Sequence, residues 1–498
     1  MHTGTTRPAH KRLWGSRRRR LWSGATAIAA TAALGAAAAG LTGVGSPSSA
    51  AVHAKIVHGA QPAGAVSPHP AAGTPELPIS TTAATDEIKQ IVQCGTTMYA
   101  VGQFTQVISN GTTLTRDNLF SFSATAPYTL TSLAPSVNGA VNSIALTSNC
   151  AHAFIGGSFT KVDGATADNI AYIRTSDGSL VARWGRDANN QVQTLALTNS
   201  GHLLVGGQFT SINGSNNAYF TSLNPATGAD DGFLRLNISG HYHWCSSTGQ
   251  CNVIFPTQVA NQQLSHSGTL DLAEGVFTSV GGQTRGQIFM INLATSPATV
   301  TPWTSPEFDG SQSTPNTNAP IPFECYGTES YYLRDAAWSP DDSTIYTAET
   351  GYHPWNLPTG TYPRSGLCDA SAAWPATQGV VNHTWVNYTG CDSLFSVAAD
   401  SAAVYVAGHP RWSENGGGCN APGPGAVADA GMQGLDPATG NVLENADGSP
   451  VYTMSRANAG DMLITSAGLW IGSTNRYGTS WCNGDPNHTA LCFLPYSS

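Results

Sequence analysis

From Asp86 onward the chain runs in short segments of alternating apolar and polar residues, separated by turns of Gly, Asn, Asp and Pro. IKQIVQ (88–93), VNSIALT (141–147) and VQTLALT (192–198) keep a period of two, which predicts half-buried strands. Each precedes a segment of one layout: MYAVGQFTQV (98–107), AFIGGSFTKV (153–162) and LLVGGQFTSI (203–212), with LAEGVFTSV (272–280) a close fourth. A third strand pattern comes next, as in NLFSFS (118–123), NIAYIRT (169–175), AYFTSLN (218–224) and QIFMINL (287–293). Turn signals close several of these, namely SDG at 176–178, NPATG at 224–228 and DPATG at 436–440.

One unit therefore supplies three or four strands in a meander of roughly 50 to 70 residues. Such a sheet cannot bury both faces alone, whereas copies packed around an axis can, leaving only short protected edges. A solenoid would need a shorter period, and a sandwich would not repeat this segment. DAAWSPDDSTIYTAET (335–350), SLFSVAADSAAVYVAGH (393–409) and DMLITSAGLWIGS (461–473) continue the strand–turn–strand layout in degenerate form. The pattern predicts an all-β fold: a single β-propeller of seven blades, each of about four antiparallel strands, with six or eight as the alternatives. The cores fall near 86–135, 138–188, 190–238, 251–305, 321–388, 391–452 and 459–498. The last copy is a strand short, which residues 73–85 would supply. Glycines of the GG segments relieve crowding or seat a bulge, and Asn118, Asn169 and Asn217 serve as turn formers.

Ahead of the repeats the pattern is different. Lys11, Arg12 and Arg17 to Arg20 precede an Ala/Gly/Leu stretch and then small residues around Val52-His53-Ala54. That order predicts a signal peptide over 1–54, with 55–80, rich in Pro, Ala and Gly, as a flexible leader and 81–498 as the propeller. Ser16-Arg17-Arg18 resembles the start of a twin-arginine signal, but Arg20 stands where such signals prefer Phe, so the export route stays open. Cleavage would remove seven of the 21 basic residues and none of the 30 acidic ones, leaving 14 basic residues and a net charge of −16. A surface of that sign opposes nucleic acid and anionic membrane as partners. All ten cysteines lie in the exported part. Their even number in an oxidising compartment predicts disulfides, with no C-x-x-C pair to suggest zinc. Proximity suggests Cys245–Cys251, Cys482–Cys492 and Cys368–Cys391, and the matching places of Cys94 and Cys150 in two repeats suggest an inter-blade bond.

VGGQFTSINGSNNAYFTSLNPATG (205–228) resembles the delta-60 type repeat of large secreted proteins from high-GC Gram-positive bacteria, and the resemblance covers residues 86–240 well. YVAGHPRW (405–412), GPGAV (423–427), GLDPATG (434–440) and GLWIGS (468–473) look like the same group. WSPDDSTIY (338–346) is similar to the turns of YVTN and quinoprotein-like propellers. The resemblance implies a fold. Its family is mostly without assigned activity, so it implies no catalytic residues.

The chain carries no G-x-S-x-G elbow, H-E-x-x-H, P-loop or EF-hand loop. What stands out are polar-aromatic clusters in the irregular insertions: His241, His243 and Trp244; His353 and Trp355; His409, Arg411 and Trp412. The last two clusters hold equivalent repeat positions, and loops at one rim of a propeller commonly carry function. Three histidines would suffice for a metal with an open water position, while the plainer reading packs these pieces on turns and disulfides; no metal and no cofactor are assigned. Asp335 and Glu349, at the two ends of a two-strand unit, are the candidate acid/base pair for glycan cleavage, against the plainer reading of Asp335 as a strand-start residue paired with Arg334. Together these features predict a secreted, monomeric, non-catalytic propeller that binds a ligand or cell-surface component, glycan among the possibilities. The alternatives are an extracellular hydrolase or lyase with its site on blades four to six, and an adhesion or scaffold module without a small ligand.

Overall fold

The computed structural model describes residues 59–60, 64–79, 86–244, 253–308, 333–351, 367–454, 459–475, 482 and 489–497, all within the unit Val57–Ser498. The signal peptide of the sequence reading lies outside them. Seven of their sheets, each of three or four strands, follow one another along the chain as blades. The innermost strands are Glu87–Cys94, Val141–Leu146, Val192–Leu197, Gln258–Leu264, Leu333–Trp338, Leu394–Ala399 and Ala459–Thr465. Each packs against the inner strand of the next sheet, and the seventh packs against the first. The ring is closed, and the fold is an all-β propeller. Blades four and five have four strands; in the others the outermost strand shrinks to a bridge such as Phe122 to Leu130 or Ile173 to Leu180.

Seven apolar cores lie between the blades. Tyr99, Val101 and Leu119 of the first blade meet Val141, Ile144 and Ile155 of the second. Leu272, Ile288 and Met290 of the fourth meet Leu333, Ala336 and Ile345 of the fifth. Because both faces of a blade are covered, second strands such as Leu203–Gly207 are buried throughout and read as unbroken apolar runs. Tryptophans brace the outer turns. Trp184, Trp303 and Trp385 each donate Nε1–H, at 3.0 Å, to the carbonyl of Pro225, Pro375 or Pro437, the proline of a Pro-Ala-Thr turn in the following blade.

Every inner strand slips register by one residue after its first apolar residue. The bulge leaves no room for a side chain opposite. A Cβ on Gly157 would stand 2.0 Å from the Ala140 carbonyl oxygen, and one on Gly102 would stand 1.9 Å from that of Glu87. The repeated glycines therefore seat the bulge, as read from sequence. Asn118 and Asn169 hold positive φ just before the third strand. Asn118 there accepts from Phe104 N–H and donates to the Val137 carbonyl. In the third blade this position is Tyr219, φ 68°; Asn217 instead bonds Asp230, which corrects its assignment to the recurring turn.

Two further readings are corrected. Part of the presumed flexible leader is packed: Ala65, Val66 and Leu77 are fully buried. Ser67 and Ala71 N–H donate to the Pro495 and Phe493 carbonyls, and further on Leu77 N–H donates to the Thr489 carbonyl. The last blade is therefore lined by 67–71 together with the first part of 73–85; residues 80–85 lie outside the described ones. Two tyrosines hold the start of this stretch, Tyr405 Oη accepting from Val66 N–H and Tyr452 Oη donating to the Val66 carbonyl. Composition alone missed the few apolar residues that anchor this segment. Among the cysteines, Cys94–Cys150 and Cys482–Cys492 pair as expected. Cys391 pairs with Cys419 and not with Cys368: Cys391 lies just before the inner strand of blade six, and Cys419 in the loop that follows the second strand of that blade. Cys245 and Cys251 lie outside the described residues.

Candidate functional site: the axial cavity

The residue that follows each bulge is polar in every blade, namely Gln90, Ser143, Thr194, Asn261, Asp335, Ser396 and Asp461, and all but the buried Ser396 line a central cavity. Four of them staple their blade to the next by accepting a backbone N–H. Gln90 Oε1 accepts from Ile144 at 2.7 Å, Ser143 Oγ from Leu195 at 2.9 Å, Asp335 Oδ2 from Val397 at 2.9 Å and Asp461 Oδ2 from Ile91 at 2.6 Å. The Asp461 bond joins the last blade to the first. Each such bond contributes roughly 1 kcal/mol and spares a buried N–H from going unpaired.

Inside this ring lies a polar cavity of about 190 Å³, walled by the staples and by the side chains just before them, among which are Lys89, Asn142, Gln193, Arg334 and Phe395. Amides and hydroxyls dominate, with two cations, two carboxylates and one aromatic ring. Lys89 pairs with Glu87 at 2.9 Å, and Asn142 donates to Gln193 Oε1 at 3.1 Å. Burial pushes Asp335 up to about 7 against the pull of the Val397, Asn261 and Ala336 donors, and it pushes Asp461 up to about 7 as well, with Asp335 adding to the effect. Such a wall can hold a neutral, hydroxyl-rich group through many donors and acceptors without a net charge preference.

The loop candidates fall elsewhere. His353 and Trp355 lie outside the described residues, as do the side chains of His243 and Trp244. His241 is exposed in the segment between the third and fourth blades. Arg411 is engaged in the sixth blade: Nε and Nη2 form a fork on Asp392 at 2.8 and 2.9 Å, Nη2 also donates to Asn420 Oδ1 at 3.1 Å, and the guanidinium lies 4.6 Å from the Trp412 ring. His409 meets Phe395 edge to face, ring centroids 5.0 Å apart, so it backs the cavity wall. Among the described residues no group of three His, Cys, Asp or Glu is disposed to hold a metal ion.

Asp335 and Glu349 do share one sheet, on paired strands where Leu333 faces Glu349 and Asp335 faces Ala348. Their surroundings differ. Asp335 walls the cavity, with Oδ1 bonded by Asn261 and Ala336 and Oδ2 by Val397. Glu349 is fully buried, and burial holds it well above the usual carboxylate range against the pull of the Thr347 hydroxyl. Of the staples only Asp335 stood out in the sequence, and as an acid and not as a staple. Their signal was present, an apolar–x–polar step opening each inner strand: Ile88-Lys89-Gln90, Val141-Asn142-Ser143, Val192-Gln193-Thr194, Val259-Ala260-Asn261, Leu333-Arg334-Asp335, Leu394-Phe395-Ser396 and Ala459-Gly460-Asp461.

No family model matches this chain. No curated protein matches it either. Among solved structures it is similar to that of U3-55K, at 9% identity and a TM-score of 0.46, covering 86% of this chain and 99% of the other. The RRP9 WD40 repeats are similar at 9% identity and a TM-score of 0.45, with 86% and 98% covered. The WD40 β-propeller domain of Doa1 follows at 10% identity and 0.40, with 80% and 94% covered. These likenesses carry no argument about function. The propeller is read from its own seven sheets and closed ring.

Proposed function

We propose that the chain is an exported, non-catalytic binding propeller that takes a hydroxyl-rich group, such as the end of a glycan, into the axial cavity. The supporting observation is the convergence of polar side chains from six of the seven inner strands, with Phe395 from the sixth blade, on a cavity walled mainly by amides and hydroxyls. Phe395 adds a stacking face there, with His409 fixing its ring. Three disulfides and an acidic mature chain are compatible with export, as is the resemblance to delta-60 repeats. Retention on insoluble glycans and washed cell walls, followed by titration with the released oligosaccharides, tests the reading. Gln193→Ala and Phe395→Ala are expected to weaken binding at least tenfold with the fold intact, each taking away a direct contact of about 1.4 kcal/mol or more. No retention on either material, or unchanged affinity in both variants, would sink it.

A second reading, an extracellular hydrolase, is favoured by one observation: Asp335 and Asp461 face the same cavity with carboxyls near neutrality. Against it, Gln90 and Ser143 do the same stapling work and have no acid chemistry. Polysaccharide turnover that is lost in Asp335→Asn would install this reading instead.

A further inference from the structure

The glycine pair of the repeat is replaced by acid at one seam only. Gly156 and Gly206 face Ser143 and Thr194 in blades two and three, and the same register position in blade four, opposite Asn261, is Glu274. The next position pairs with the apolar residue before the bulge, and it is Gly102, Gly157, Gly207, Gly275 and Gly408 in five blades but Glu349 in blade five. A Cβ on Gly156 would run into Val192 of the following blade at 2.4 Å. A side chain at this register therefore points into the seam, so Glu274 points toward blade five. Both residues are at most 1% exposed; no donor reaches either Glu274 oxygen, and beside Glu349 stands the Thr347 hydroxyl, which pulls against its burial.

We infer that the seam between blades four and five is a proton-operated latch, closed while Glu274 and Glu349 hold protons and loosened when they lose them. Two buried carboxylates with so little hydrogen bonding cannot both ionise cheaply beside each other. The charges acting on Glu274 are all negative, from Asp335, Asp271 and Glu349, and Glu307 acts on Glu349 in the same sense. Burial and this repulsion hold both glutamates well above their usual range. The cations nearby are spoken for or set apart. Arg285 donates to the Thr284 and Thr301 carbonyls and to Gln283, His383 is bonded to Glu307, and Arg334 and Lys89 line the cavity. Asn261 and Gln263, the polar neighbours from the inner strand, are uncharged.

Hydrogen exchange of the whole chain, corrected for intrinsic rates, tests the latch between about pH 5 and about pH 9, a window that spans documented values for buried glutamates. Protection of Leu270–Val276 and Thr344–Glu349 is expected to fall at least about tenfold as pH rises, the equivalent of one pKa unit, while His152–Gly157 keeps its protection. The double variant Glu274→Gln, Glu349→Gln should flatten that profile. Glu274→Gly and Glu349→Gly, which restore the repeat residue, should flatten it too and guard against a misfolded amide variant. An equal fall in the variants, a fall spread over all seams, or none at all overturns the inference. So does full restoration of protection at high pH by calcium ion alone, which would make the seam a cation site.

Discussion

The seam between blades one and two and the seam between blades four and five hold the same place in the repeat and use different chemistry. The first is neutral and bolted: Gln90 accepts from Ile144 N–H and Ser143 Oγ, Gly156 and Gly157 let the strands close, and Cys94–Cys150 crosses it. The second gathers carboxylates, with Asp335 bonded by Asn261 and Val397 and with Glu274 and Glu349 buried behind it. Four of the seven residues after the bulge accept a backbone N–H from the next blade, and six blades set glycine or serine opposite the residue before it. Charge is therefore an addition, made in the blades that depart furthest from the clean repeat.

The sharpest break of this comparison is Gly157→Ala. If blade two tolerated a side chain where blade five carries Glu349, the requirement for glycine would be a habit of sequence and not of packing. With a carbonyl oxygen 2.0 Å from the added carbon, and backbone that cannot move without disturbing the bulge, the loss is expected to exceed about 3 kcal/mol. Denaturant unfolding monitored by tryptophan fluorescence gives the number. A loss under about 1 kcal/mol would show that the blade can open as the fifth does.

Next in size is the bolt. Replacing Cys94 and Cys150 together by serine is expected to cost about 2 to 4 kcal/mol, because a cross-link spanning 56 residues constrains the unfolded chain. Exchange should rise first along Val141–Leu146 and leave Leu333–Trp338 unaffected. If both strands loosen alike, the seams are not independent and the contrast drawn between them fails.

How much of this was legible in the sequence depends on whether the residue's role was local. Strand patterning, the GG steps and the Pro-Ala-Thr turns declare themselves because they act within one blade and recur in several. The staples recur as well, but Gln, Ser, Thr, Asn and Asp were never seen as one position, since residue type varies while the acceptor role persists. Trp184, Trp303 and Trp385 were invisible for a related reason: each serves a turn in the next blade, 41, 72 or 52 residues away. The loop clusters are a different case. His, Arg and Trp in an insertion look chemical, yet Arg411 spends its donors on Asp392 and Asn420. Glu349 was picked for its acidity, and its significance lies in the glycine it replaces.

The smallest of these effects concerns the seam where the ring closes. Asp461 does for blades seven and one what Gln90 does for blades one and two, but with a group that titrates. Its carboxyl is raised to about 7 by burial, so the folded state holds the proton more tightly than the unfolded chain, whose carboxyl titrates near 4. The contribution is therefore complete below the ordinary carboxylate range, declines as pH rises, and is gone above about 7. Between about pH 5 and pH 7 it amounts to about 2 kcal/mol of lost stability. Asp461→Asn keeps an oxygen for the Ile91 N–H and removes the proton, so unfolding free energy should fall less steeply over that interval and be retained near pH 7.5. Asp461→Ala leaves the Ile91 N–H unpaired and should cost about 1 to 3 kcal/mol at every pH. A slope unchanged in the Asn variant would mean that Asp461 is ionised throughout, and that the closing seam belongs with the neutral-type staples and not with the carboxylates of blades four and five.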